Sequence, residues 1–140
     1  GKIKLDKNGI WSHDNVPFVH EGMSRFFNKS IIQVSENNYH LKIQNSEVPI
    51  EVEDVILWVT DLDIFPEKSQ ILLHLSDEKI IKTDEAIKFL INSNDELYCY
   101  PDEFTKVKFT RKSYNFLINY ITEEKGNFFI QVGKLKLPIN

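Results

Sequence analysis

Cysteine is almost absent: Cys99 is the one thiol among 140 residues. A lone thiol makes no internal disulfide and no cysteine metal cage, so the fold is not stapled, which fits a reducing, cytoplasmic setting. Glycine is scarce, with five in the chain, none of them grouped. That removes the glycine loops that cradle phosphates in nucleotide-hydrolysing and dinucleotide-binding folds. No apolar run approaches the roughly 20 residues of a spanning helix, so no membrane insertion is expected. Positive charge is in deficit: 17 lysines and arginines face 21 acids, for a net charge of −4 and a pI near 5.6. Non-specific nucleic-acid binding needs a basic surface that displaces phosphate counterions, and is not expected. The basic run Lys106, Lys108, Arg111 and Lys112 reads as a solvated strand and helix start. His13, His20, His40 and His74 are scattered, without zinc spacing, and no serine sits in a nucleophile elbow. No metal and no cofactor are expected. Cys99 reads as a small buried side chain.

What is present is apolar patterning, 41% of the chain, and a repeat. Asn38-Tyr39-His40-Leu41-Lys42-Ile43, ending in Val48-Pro49-Ile50, returns as Asn127-Phe128-Phe129-Ile130-Gln131-Val132, ending in Leu137-Pro138-Ile139. Asn38 and Asn127, like Pro49 and Pro138, lie 89 positions apart. Ser24, Phe27 and Ile32 fall on Ser113, Phe116 and Ile121 at the same offset. A duplicated unit creates an interface between its copies, and such clefts are common ligand sites.

Alternation and turn signals give each copy a strand-strand-helix-strand-strand pattern. In the first, Ile3–Leu5 starts an alternating stretch, and Ile10–Ser12 and Val16–Val19 read as short strands. Met23, Phe26, Phe27, Ser30 and Ile31 recur at helical spacing. Tyr39–Ile43 and Glu47–Val52 are strands. In the second, Leu97–Tyr100 and Phe104–Phe109 precede a helical face of Tyr114, Phe116, Leu117, Tyr120 and Ile121. Lys125-Gly126 reads as that helix's end. Phe128–Val132 and Leu135–Ile139 close with a hairpin. Between the copies, Val55–Val59 reads as a strand buried on both faces, with Trp58 in the core. Asp61–Gln70 reads as a loop, and Ala86–Ile91 is assigned as strand. The expected organisation is an N-terminal repeat lobe over 1–60 and a C-terminal lobe over 61–140. Within the latter, 61–92 is unmatched and 93–140 is the second repeat.

The stretch Asn8-Gly9-Ile10-Trp11, Val16-Pro17-Phe18, a helix with Phe26-Phe27, Asn38-Tyr39-His40-Leu41 and Val52-Glu53-Asp54 resembles an uncharacterised bacterial family, domain of unknown function 1285. Leu97-Tyr98, Arg111, Tyr114, Gly126 and Phe128-Phe129 continue the resemblance over almost the whole chain. The chain departs from the family pattern in two places. Asn8-Gly9 stands where Asp-Gly is usual, and Val19-His20-Glu21 stands where an arginine is common. The resemblance implies a strand-rich α+β fold built by duplication, its C-terminal part superficially like a pleckstrin-homology fold. It also implies a signalling role and a nucleotide-like ligand between the lobes.

The site candidates follow from side-chain chemistry. Glu51, Glu53 and Asp54 form the densest acid cluster, and paired carboxylates serve a divalent cation or divide acid and base roles. Arg25 and Arg111 are the only arginines, each near a helix start, where a guanidinium suits phosphate or carboxylate. Trp11, beside a turn, and Tyr98 are candidates for stacking. The leading expectation is a non-enzymatic binding or sensory module. It would hold a small anionic, nucleotide-like molecule in the inter-repeat groove, with Trp11, Arg25, Glu53, Asp54, Tyr98 and Arg111 as contacts. A protein partner or homodimer through exposed edge strands such as Leu135–Ile139 is the alternative. A metal-assisted enzyme using Glu53 and Asp54 is the third reading.

Overall fold

The structure is a computed structural model that describes residues 1–140. The chain forms two compact units, Gly1–Ile56 and Leu57–Asn140. The boundary falls before residue 60 because one unbroken strand starts at Leu57. No helix is long and apolar enough to cross a membrane.

The first unit contains β1 (Ile3–Leu5), β2 (Trp11–His13), β3 (Val16–Pro17), α1 (Glu21–Asn28), β4 (Ile31–Ser35), β5 (Asn38–Ile43) and β6 (Ser46–Val52). They make one sheet in the order β3-β2-β1-β6-β5-β4. The β1–β6 pair is parallel, with Ile3 beside Ile50 and Leu5 beside Val52. Asp6 builds the first turn: its Oδ1 accepts the amides of Asn8 at 2.8 Å and Ile10 at 2.9 Å. Gly9 supplies the positive φ, 81°, that this turn requires. The core is small, Leu5, Trp11 and Leu41, with Phe18, Phe27 and Ile31 against it. The helix α1 is capped by His20, whose Nδ1 accepts from the Met23 amide at 3.2 Å.

The second unit contains β7 (Leu57–Phe65), a 3-10 turn, β8 (Gln70–Leu75), β9 (Ile80–Lys82), β10 (Lys88–Ile91), β11 (Leu97–Tyr100) and β12 (Val107–Phe109). Then come α2 (Arg111–Leu117), a second 3-10 turn, β13 (Ile121–Glu124), β14 (Asn127–Val132) and β15 (Leu135–Ile139). Nine strands form one sheet in the order β13-β14-β15-β10-β11-β12-β7-β8-β9. Two of its pairs are parallel, β10–β15 and β12–β7. The helix α2 presses Ser113, Tyr114 and Leu117 into a core that includes Val59, Phe89, Leu97, Val107 and Ile130.

The run β10 to β15 around α2 has the strand order β12-β11-β10-β15-β14-β13. This is the order β3-β2-β1-β6-β5-β4 of the first unit, with the first and last strands again parallel. In the first unit Tyr39 faces Ile50, Leu41 faces Val48 and Ile43 faces Ser46. In the second Phe128 faces Ile139, Ile130 faces Leu137 and Val132 faces Leu135. Every one of these pairings keeps the offset of 89.

Several sequence expectations are corrected. Three strands, not two, follow the helix in each unit, because Ile31–Ser35 and Ile121–Glu124 are strands rather than helix ends. Lys125 and Gly126 have positive φ, 51° and 82°, and join β13 to β14 as a hairpin instead of ending a helix. Strand β10 belongs with the second run, so the unmatched stretch ends before it. Asp61–Phe65, assigned to a loop, continues β7. Leu135–Ile139 is not an edge: β15 lies between β14 and β10. The edges are β3 and β4 in the smaller sheet and β13 and β9 in the larger.

Candidate functional site

The expected contacts divide between the units. Trp11, Arg25, Glu53 and Asp54 lie in the first; Tyr98 and Arg111 lie in the second. Trp11 is not an exposed stacking surface. It is 1% accessible, meets Phe27 edge-on at 5.3 Å, and donates its indole N–H to Asn28 Oδ1 at 2.8 Å. Its alternating position on β2 points it inward, and the nearby turn does not change that. Tyr98 is buried too, with the Lys106 and Lys108 ammonium groups 4.4 and 5.6 Å from its ring centre. Trp58 is buried, as its apolar neighbours imply.

The acids at the end of β6 pair with Lys4 of β1 and with Lys2 just before it. Glu53 meets Lys4 at 2.9 Å and Glu51 meets Lys2 at 3.4 Å. The strand period of two sets both acids and both lysines on matching faces of a parallel pair. The hydrogen bond to Glu53, and then its charge, raise the Lys4 pKa above its ordinary value. Arg25 is exposed and lies 3.8 Å from Glu21 on its own helix. Cys99 is fully buried, and burial pushes its thiol up to about 12. A neutral, inaccessible thiol is no nucleophile at neutral pH.

A different set of residues converges in the second unit. A cleft of about 530 Å³ is lined by Ile91, Ile118, Ile121, Phe128 and Ile139, with Asp95, Tyr114 and Asn140 as its polar lining. Such a volume is typical of small-molecule sites, about 300–1,000 Å³. Leu117 goes into the core, while Ile118 and Phe128 stay about half exposed along the cleft.

The polar end is built by a turn. Asn92 Oδ1 accepts the amides of Asn94 at 3.0 Å and Glu96 at 2.9 Å. That places Asp95 in the left-handed region, φ 58°, which aspartate and asparagine tolerate better than most residues. The Tyr114 hydroxyl donates to Asp95 Oδ1 at 2.5 Å. Arg111 Nη2 donates to the Asp95 carbonyl at 2.9 Å, and its guanidinium lies 5.0 Å from the centre of the Tyr114 ring. Arg111 Nη1 lies 3.7 Å from Asp95 Oδ2. Burial, and then the bond to Asp95 and its charge, raise Tyr114 to about 12, against a small opposing effect of Arg111. Of the expected contacts, only Arg111 comes near: it touches Asp95 and Tyr114 but does not itself line the cleft. Asp95 and the isoleucines went unrecognised as site residues. The turn Asn92–Asp95 and the helical spacing of Tyr114 were their only sequence signals.

No protein-family model matches the chain, and no curated protein matches it. Two crystal structures are similar to it. A DUF1285 family protein from Silicibacter pomeroyi DSS-3 superposes with a TM-score of 0.72 at 17% identity, over 98% of this chain and 78% of that one. A DUF1285 family protein from Shewanella baltica OS155 superposes with a TM-score of 0.57 at 16% identity, over 84% of this chain and 90% of that one. At such identities the likeness is one of fold: this chain has the fold of DUF1285 family proteins, the family that its sequence resembles.

Proposed function

We propose that the chain is a duplicated, non-enzymatic binding module, and that its second unit takes the apolar body of a small molecule. The observation that carries this reading is the cleft of about 530 Å³ with five apolar walls and a polar end. The shared strand order and the 89-residue register support the duplication. The copies have diverged at the cleft. Tyr114 and Ile118 stand where the first copy has Arg25 and Lys29, so two uncharged cleft residues in one copy are cations in the other. A binding role also accords with the chemistry of the reactive groups, since Cys99 is neutral and buried and Glu51 and Glu53 are paired with lysines.

The test is titration of the protein with N-phenyl-1-naphthylamine, a neutral dye that brightens in apolar surroundings. The wild type should bind it saturably. Ile118→Trp, which fills the cleft from a half-exposed position, should abolish binding with little change in melting temperature. Val16→Ser, at an exposed apolar site in the first unit, should leave binding intact. Undiminished dye binding by Ile118→Trp would overturn the reading.

A further inference from the structure

The turn that joins β1 to β2 is built a second time between β10 and β11. In the first, Asp6 Oδ1 accepts the amides of Asn8 at 2.8 Å and Ile10 at 2.9 Å. The Asp6 carbonyl accepts the Gly9 amide at 3.1 Å, and the Asp6 amide donates to the Ile10 carbonyl at 3.0 Å. Asn92 repeats all four bonds. Its Oδ1 accepts from Asn94 at 3.0 Å and Glu96 at 2.9 Å, its carbonyl accepts from Asp95 at 3.1 Å, and its amide donates to Glu96 at 3.0 Å. Gly9 and Asp95 both have positive φ, 81° and 58°, and each follows an exposed asparagine, Asn8 or Asn94. The backbones match and the chemistry does not, since Gly9 is the only glycine in the chain that follows an asparagine.

We infer that Asn8 is a self-modifying site, and that the turn built by Asp6 sets its rate. The backbone nitrogen of Gly9, once deprotonated, attacks Asn8 Cγ, and the missing Cβ leaves that approach open. An N–Cγ bond forms and the side-chain nitrogen leaves as ammonia. Water then opens the succinimide ring. Opening at Cγ gives aspartate at position 8, and opening at the main-chain carbonyl gives isoaspartate. The net reaction is asparagine plus water to either acid plus ammonia. At Asn94 the nucleophile would be the Asp95 nitrogen, which is shielded by a Cβ and whose deprotonation is opposed by the neighbouring carboxylate. Gly9 keeps its proton while it donates to the Asp6 carbonyl, so conversion runs through the opened turn. The isoaspartate product adds a main-chain carbon next to the Leu5–Trp11 pair, two of the three buried core residues of the first unit.

The experiment incubates the full chain in mildly alkaline buffer, with and without urea. Peptide mapping by mass spectrometry scores both asparagines, and isoaspartyl methyltransferase scores isoaspartate. Asn8 should convert in both solutions, faster in urea, while Asn94 stays intact in the same samples. Asp6→Ala removes two of the four bonds of the turn and should speed conversion in buffer by about tenfold, with the urea rate unchanged. Asp6→Asn keeps an acceptor oxygen and should stay near the wild-type rate. The Leu41 amide should keep its slow hydrogen exchange in Asp6→Ala, which separates an opened turn from an unfolded chain. Gly9→Asp should stop conversion of Asn8, and Asp95→Gly should start it at Asn94. An intact Asn8 in urea, or an Asn94 that keeps pace with it, would overturn the site. A wild-type rate for Asp6→Ala in buffer would overturn the role of the turn.

Discussion

Replacing Ser113 by alanine should cost little, although the side chain is buried and makes short hydrogen bonds. Its hydroxyl donates to the Val59 carbonyl at 2.7 Å and lies 2.8 Å from Thr110 Oγ1, tying α2 to β7. What decides the cost is what the truncation leaves behind. The Val59 carbonyl also accepts from the Thr110 amide at 3.0 Å. Thr110 Oγ1 still accepts the Ser113 amide at 3.2 Å. No buried group is orphaned, so the loss should be that of an ordinary net hydrogen bond, about 0.5–1.5 kcal/mol, rather than the desolvation penalty of about 1–3 kcal/mol. Thr110→Ala removes the helix cap instead and should cost about 1 kcal/mol. The two residues share a network, so the double variant should be non-additive by about 0.5 kcal/mol or more. Urea unfolding in a Trp11→Phe background isolates Trp58, the neighbour of Val59, as the only indole. The midpoint should move with an unchanged m value. A loss above about 2 kcal/mol for Ser113→Ala would refute the claim that Val59 has a second donor.

Cys99 should resist Ellman's reagent at pH 8 in the folded protein and react fully in urea, since the thiol is buried and held near 12; fast native labelling would sink that placement. Tyr114 predicts an alkaline loss of stability. Its folded pKa is about 12 against an ordinary 10, so above pH 10 the unfolded chain releases the proton first. The contribution is whole below pH 10 and fades as pH rises towards 12. Urea midpoints measured from pH 8 to 11 should fall more steeply in the wild type than in Tyr114→Phe, and parallel curves would count against it.

Most strands were legible because alternation is a two-residue signal that survives without context. The constant offset also carried over into hairpin register, since both β5–β6 and β14–β15 are local pairings. Helix ends were misread for a physical reason. Ile31-Ile32 and Ile121-Thr122 continue the helical spacing of the residues before them, but β-branched side chains in succession favour extended backbone. Gly126 looked like a helix stop because positive φ serves helix ends and hairpins alike. Trp11 was misplaced because proximity to a turn says nothing about which way a strand residue points. The cleft was not legible at all. Its walls come from Ile91, Ile118, Ile121, Phe128 and Ile139, which sit on different elements and meet only after the sheet has formed.

The place of β15 has a kinetic consequence. It is the last of the nine strands in sequence and lies in the interior of the sheet, between β14 and β10. Until it docks, β13-β14 and the block from β10 to β9 have no strand joining them. Docking requires a parallel contact between Phe89 and Ile139, whose loop closure must precede its reward. The second unit should therefore fold late and cooperatively, with β10 and β14 open at their edges in the meantime. Those two strands, rather than the edges of the finished sheet, are where wrong pairing during folding would begin.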